Sequence, residues 1–194
     1  MRFTRTQKIE TALAPKRALV IYGPRRVGKT TILKGYLSTQ KDKPTMYVVG
    51  DDFRIRELFE KELRDELLDF ARPYDIIAID EAQQVPSIGL GAKMIIDAFP
   101  EKQLILTGSS SFDLSAKIGE PLTGRHFTMT MLPLAQSEMC SSRFELKGAL
   151  NSFLIYGSYP EVLSVETKEE KERILNELVS SYLYKDILAL DKIK

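Results

Sequence analysis

The stretch Gly23-Pro24-Arg25-Arg26-Val27-Gly28-Lys29-Thr30 constrains this chain more than any other, because it satisfies the phosphate-loop (Walker A) pattern G-x-x-x-x-G-K-[ST] at every position. The two glycines let the backbone curl until its N–H groups converge on one small volume, which suits an oxygen-rich anion. Lys29 adds a point charge for β and γ phosphates, and Thr30 adds a hydroxyl suited to Mg²⁺. Arg17-Ala18-Leu19-Val20-Ile21-Tyr22 reads as a buried strand before the loop, and Thr31-Ile32-Leu33-Lys34-Gly35-Tyr36-Leu37 as a helix after it. That helix directs the positive end of its dipole at the same anion. The competing reading, a surface turn with a solvated lysine, leaves the flanking strand and helix unexplained. Gly23, Pro24, Arg25, Arg26, Val27, Gly28, Lys29, Thr30 and Thr31 therefore form the expected nucleotide-binding set.

A second motif follows about fifty residues on. Ile76-Ile77-Ala78-Ile79-Asp80-Glu81 is an apolar strand ending in two acids, a Walker B candidate, and in an open α/β sheet such strand ends face the ligand crevice. Asp80 is expected to hold the Mg²⁺ shell through water, with Thr30 as the other metal-side ligand. Glu81 is expected to orient or deprotonate the water that attacks the γ-phosphate. Taken alone, the pair reads equally well as a strand end or a helix cap; paired with the loop upstream it takes on a catalytic meaning.

Between and around these motifs the pattern alternates. A short helix is expected over residues 4–14, ended by Pro15, and strands over 17–22, 44–50, 75–80, 102–108 and 125–131. Asp51-Asp52 opens a helix in which Phe53, Ile55, Leu58, Phe59, Leu63 and Leu67 recur at helical spacing, and another helix runs over 88–99 to Pro100. Strands separated by helices imply a parallel sheet with right-handed crossovers. The expected fold is α/β, a P-loop NTPase of the additional-strand class: a five-stranded parallel sheet flanked by helices, then a C-terminal helical lid. In that class the strand after Walker B lies between the two motif strands, and a polar residue at its tip senses the γ-phosphate. Here that tip reads Thr107-Gly108-Ser109-Ser110-Ser111, so Ser109 and Ser110 are the sensor candidates, Thr107 ranks behind them, and a plain polar turn is the alternative. Residues 1–133 are expected to form the ATPase core and 134–194 the lid.

Composition narrows the function classes. A chain of 194 residues holds one sizeable α/β domain, and its net charge of +1 does not suit bulk attraction to nucleic acid or to an anionic membrane. Residues 1–34 carry nine Lys/Arg against Glu10 alone, which suits an edge facing polyphosphate. Cys140 is the only cysteine, which excludes an internal disulfide and suggests a small buried residue. His126, the only histidine, sits in an alternating strand and reads as structural or exposed. There is no apolar run of about 18 residues and no signal-peptide stretch, so a cytoplasmic protein is expected. No Asn-Lys-x-Asp element for guanine occurs, which favours ATP over GTP.

With Gly-Pro-Arg-Arg-Val-Gly-Lys-Thr-Thr, Ile-Asp-Glu-Ala-Gln, Leu-Thr-Gly-Ser-Ser-Ser, Gly124-Arg125 and Pro133-Leu134 in this order, the chain resembles the prokaryotic AAA-like ATPases of the archaeal-ATPase and STAND-related group. Tyr156-Gly157-Ser158-Tyr159-Pro160-Glu161 and Tyr182-Leu183-Tyr184-Lys185-Asp186-Ile187 are similar to that family too. Members usually continue into a winged-helix segment and a nuclease-like domain, so the resemblance implies that this is an N-terminal piece or a cut-down version. It also implies a role for Arg125 at the γ-phosphate, as a finger or sensor, in cis or across a contact between copies. An arginine that pairs with a carboxylate near a strand start is the alternative.

The expected function is binding of ATP·Mg²⁺ and its hydrolysis, with Lys29, Glu81, Ser109 and Arg125 as the catalytic set. The alternative is a slow switch, in which ATP or ADP sets the posture of the lid and of an attached effector or protein partner. A small-molecule kinase ranks third, because Asp80-Glu81 puts a water-activating base where a kinase must exclude one. A homo-oligomer follows only if Arg125 acts in trans, and no DNA-reading element supports a nucleic-acid partner.

Overall fold

The computed structural model describes residues 3–109 and 118–180. The chain divides into two compact units, the first made of Gln7–Pro24 and Gly28–Met131. The second takes the residues up to Thr6, Arg25–Val27 and the chain from Leu132 onward.

The first unit is built on five parallel strands, β1 Ala18–Tyr22, β2 Thr45–Val49, β3 Ile76–Asp80, β4 Gln103–Gly108 and β5 His126–Thr130, in the order β2-β3-β4-β1-β5. β4 is thus inserted between β1 and β3, the arrangement the motif spacing implies. Helices α1 Lys29–Thr39, α2 Phe53–Glu60, α3 Arg64–Ala71 and α4 Ile88–Ala98 flank the sheet.

Burial explains why these runs become central strands. Every residue of β1 and β3 is buried. Val20, Ile77, Ile79, Leu104 and Leu106 share one cluster with Phe59, Leu67, Ile88 and Ile95 from α2, α3 and α4. Leu19, Ile21, Ile76 and Ile105, of opposite parity, are buried as well, so the sheet is covered on both faces. Each of these side chains contributes about 1.5–3 kcal/mol relative to leaving it in water. A parallel sheet also brings all strand C-termini to one edge, where the chain leaves β1, β3 and β4 after Tyr22, Asp80 and Gly108.

Two expected helices turn out differently. Residues 4–14 form no helix, only a turn in which the Ala12 and Leu13 N–H groups donate to the Ile9 carbonyl at 3.0 and 3.2 Å. The polar groups before that turn are committed to distant partners: the Thr6 N–H donates to Glu138 Oε1 at 2.6 Å, and the Gln7 amide to the Thr130 carbonyl at 2.9 Å. The apolar repeat from Phe53 to Leu67 spans two helices, because Glu62 takes a left-handed conformation (φ 52°) and breaks the hydrogen-bond ladder between α2 and α3. Glu62 Oε1 accepts from Ser87 Oγ at 2.5 Å, which holds the break. Phe59 and Leu67 are buried on either side of it, while Phe53 is 74% exposed and Leu63 lies half-exposed at the break.

The second unit is helical: α5 Gln136–Met139, α6 Arg143–Tyr156, α7 Pro160–Leu163 and α8 Lys168–Leu178. Ser142 and Thr167 cap α6 and α8 by accepting from the N–H groups of Glu145 and Glu170. Arg5 Nη1 donates to Glu138 Oε2 at 2.8 Å, and Nη2 donates to the carbonyls of Leu132 (2.5 Å) and Val27 (3.1 Å). Cys140 is half-exposed rather than buried, because α5 ends after one turn and the chain leaves it extended. Among the described residues no helix is long and apolar enough to cross a membrane. Ser110, Tyr182 and Tyr184 lie outside the described residues.

Candidate functional site

The phosphate loop leaves β1 at Gly23 under a steric constraint that comes from elsewhere in the fold. A Cβ on Gly23 would stand 2.0 Å from the Met131 carbonyl oxygen, so only glycine lets β1 exit alongside the end of β5. The Met131 N–H donates to the Tyr22 carbonyl at 2.6 Å and seals that approach. At the other end of the loop Gly28, at φ 98°, is the N-cap of α1 and offers no side-chain acceptor to the first-turn N–H groups. Lys29 is buried, and its Nζ donates to the carbonyls of Gly23 (2.8 Å) and Pro24 (2.9 Å). A buried ammonium needs such acceptors, and here the loop itself supplies them.

Across the same edge Asp80 ends β3 with a buried carboxylate surrounded by three hydroxyls. Thr30 Oγ1 donates to Oδ2 at 2.7 Å, Tyr47 Oη donates to Oδ2 at 3.0 Å, and Thr107 Oγ1 donates to Oδ1. Burial, then the Asp80 carboxylate that it donates to, pushes the Tyr47 phenol far above its ordinary pKa, so Tyr47 remains a donor at any working pH. Thr107 also accepts from the Glu81 N–H at 3.2 Å, which ties the tips of β3 and β4 together.

Directly after β3 the chain kinks. Glu81 sits in the left-handed region (φ 54°, ψ 42°) and caps a 3-10 turn over Ala82–Gln84. A Cβ on Gly50, just past β2, would lie 2.3 Å from the Glu81 carbonyl oxygen, so this kink fits only against glycine. The turn brings Gln83 back onto its own neighbour: Gln83 Nε2 donates to Glu81 Oε2 at 2.5 Å and to Ser109 Oγ at 3.2 Å.

Lys29, Thr30, Asp80, Glu81 and Ser109 thus all stand at the C-terminal edge of one sheet, within the first unit. Thr31 is exposed on α1, and Pro24 and Arg25 are exposed in the loop. Arg25, Arg26 and Val27 belong with the second unit, where Val27 is buried and Arg26 pairs with Glu161 at 3.3 Å and Glu177 at 2.6 Å.

Arg125 is not brought there within the chain. It precedes β5, its carbonyl accepts from the Ala18 N–H at the start of β1, and its Nε donates to Asp97 Oδ1 at 2.8 Å. In a parallel sheet that is the opposite edge, separated from the loop by a five-residue strand of roughly 16 Å. His126 beside it bonds the Leu122 carbonyl at 2.9 Å.

Sequence reasoning overlooked Tyr47 and ranked Thr107 low. Thr107 was visible as the polar residue inside an apolar strand. Tyr47 had no such signal, since its reach to Asp80 depends on β2 pairing with β3 so that Tyr47 lies beside Ala78.

A family model described as an AAA domain matches residues 15–140, more than half of the chain. An uncharacterised protein of Methanocaldococcus jannaschii is 29% identical over 96% of this chain, which spans about half of that relative's length (45%). Among solved structures, the Walker-type ATPase of Pyrococcus abyssi is similar at a TM-score of 0.58 and 18% identity, over 90% of this chain and 71% of that one. AMPPCP-bound DnaA from Aquifex aeolicus is similar at a TM-score of 0.51 and 19% identity, over 91% and 61%. At such identities these two likenesses speak for the fold.

Proposed function

The chain belongs to the AAA domain family of P-loop ATPases, and from that premise we propose that it binds ATP with Mg²⁺ and hydrolyses it. The observation that carries the reading is the 2.7 Å hydrogen bond between Thr30 Oγ1 and Asp80 Oδ2, which joins the loop to the end of β3. A hydroxyl and a carboxylate side by side are the hard oxygen donors that suit Mg²⁺, a cation that usually takes one or two protein oxygens and fills its shell with phosphates and water. Thr30 and Asp80 would hold it, and when bound it neutralises charge on the phosphates. Lys29 Nζ leaves the Gly23 and Pro24 carbonyls for the β and γ phosphates. The N–H groups of Gly28, Lys29, Thr30 and Thr31 line the polyphosphate. Glu81 takes the proton of the attacking water, and Ser109 reads the γ-phosphate from the tip of β4. The location that accompanies this reading is the cytoplasm, where ATP is the working substrate.

The test is ATP turnover by wild type, Lys29→Ala and Glu81→Gln, with binding of a fluorescent ATP analogue measured on the same samples. The expected outcome is loss of binding in Lys29→Ala, and retained binding without turnover in Glu81→Gln. Normal turnover by Glu81→Gln sinks the assignment of the base. Tight binding with no turnover even in wild type favours a nucleotide-operated switch acting on an attached effector.

A further inference from the structure

Gln83 is a buried amide whose single nitrogen makes two bonds, one to the carboxylate of Glu81 and one to the hydroxyl of Ser109. An amide nitrogen carries two hydrogens, so this pair of acceptors uses both. The geometry is local and specific. Only because Glu81 is left-handed and followed by a 3-10 turn does the side chain two residues on fold back over the carboxylate. Ser109 reaches the same nitrogen from β4, a strand whose Thr107 already holds the Asp80 carboxylate and the Glu81 N–H. From this arrangement we infer that Gln83 is the positioning residue of the hydrolytic site: its amide fixes the Glu81 carboxylate through Oε2 and ties its orientation to the Ser109 hydroxyl. This rests on the reading of Glu81 as the base.

The consequence is chemical. With Oε2 held by Gln83, Oε1 is the oxygen that takes the proton from water, and its direction is set by the amide rather than by free rotation about the side chain. Because Ser109 Oγ accepts from Gln83, its own hydrogen is turned to another acceptor, and in the proposed site that acceptor is a γ-phosphate oxygen. One amide group then links the presence of the γ-phosphate to the posture of the base without itself touching the nucleotide.

Gln83→Met keeps the length of the side chain and removes both hydrogen bonds. The expected result is a kcat about tenfold lower or less, with KM for ATP and the affinity for a non-hydrolysable ATP analogue within about twofold of wild type. Ser109→Ala is expected to lower kcat as well, and the double variant to fall by less than the product of the two losses, because the Gln83–Ser109 hydrogen bond is shared between them. If Gln83→Met melts early, Gln83→Asn, which keeps the amide and loses the reach, carries the same kcat comparison. Wild-type kcat in the folded variant overturns the inference, as does an equal loss in kcat and analogue affinity or a double variant in which the two losses multiply. A wild type without turnover overturns the hydrolytic reading itself, which separates that failure from failure of Gln83 alone.

Discussion

Replacing Thr107 by valine keeps the shape of a side chain with 0% exposure and deletes its hydroxyl, so the loss can be worked out from the bonds that hydroxyl makes. It donates to the buried Asp80 carboxylate, and a hydrogen bond to a charged group is worth about 1.5–3 kcal/mol. It accepts from the Glu81 N–H, for about 1 kcal/mol more. The new methyl returns about 0.8 kcal/mol of apolar burial. The net expectation is a destabilisation of about 2–3 kcal/mol, or about 5–10 °C in Tm for a chain of this size. Thr107→Ser is the control: it keeps the hydroxyl and loses a core methyl, at about 1 kcal/mol. Urea unfolding followed by far-ultraviolet circular dichroism should therefore rank wild type above Thr107→Ser and Thr107→Ser above Thr107→Val, with unchanged slopes. A valine variant as stable as the serine variant would refute the reasoning, because it would mean that the hydroxyl network at the tips of β3 and β4 contributes nothing net.

Gly50→Ala should lose about 1–3 kcal/mol, since its Cβ would press on the Glu81 carbonyl oxygen at 2.3 Å, whereas Gly148→Ala, with nothing within 4 Å in α6, should gain up to about 1 kcal/mol of helix propensity. Thermal melts of the two variants should shift in opposite directions, and a neutral Gly50→Ala would remove the case for a kink that only glycine accommodates. The Glu138 carboxyl gives a pH test. Burial raises its pKa, but the N–H groups of Thr6 and Ala135, the Thr6 hydroxyl and Arg5 outweigh that and hold it below the ordinary carboxylate value. The folded state therefore binds fewer protons than the unfolded state around pH 4. The stability that results is fully present above the unfolded value of about 4.3 and is lost as pH falls through the folded one. Wild type should be more stable than Glu138→Gln at pH 7, and the gap in urea midpoints should narrow as pH falls below about 4.3; a gap that widens in acid contradicts the assignment.

Much of the core and the loop was legible because its cause is local. The runs Ala18–Tyr22 and Ile76–Ile79 are apolar throughout, and that composition suits strands buried on both faces. Glycine spacing with Lys29 and Thr30 marks a phosphate loop for the same reason, since conformational freedom and charge are properties of single residues. Helix ends were less legible. Nothing in the Phe53 to Leu67 repeat announces the left-handed Glu62, whose stability depends on Ser87 from a later segment.

For the candidate site, the sequence by itself singled out Lys29, Thr30, Asp80 and Glu81, recognisable from residue type and spacing alone, as the residues proposed to carry the chemistry. The tertiary structure decided what surrounds them. Strand order placed β4 against β3, so that Thr107 bonds Asp80 and Ser109 meets Gln83. Register set Tyr47 beside Ala78, where its hydroxyl reaches Asp80, and strand direction sent Arg125 to the far edge with Asp97. The physical reason is range. Backbone preference and burial act within a few residues, whereas a hydrogen bond between side chains 26 or 27 positions apart exists only after the sheet has chosen which strands are neighbours.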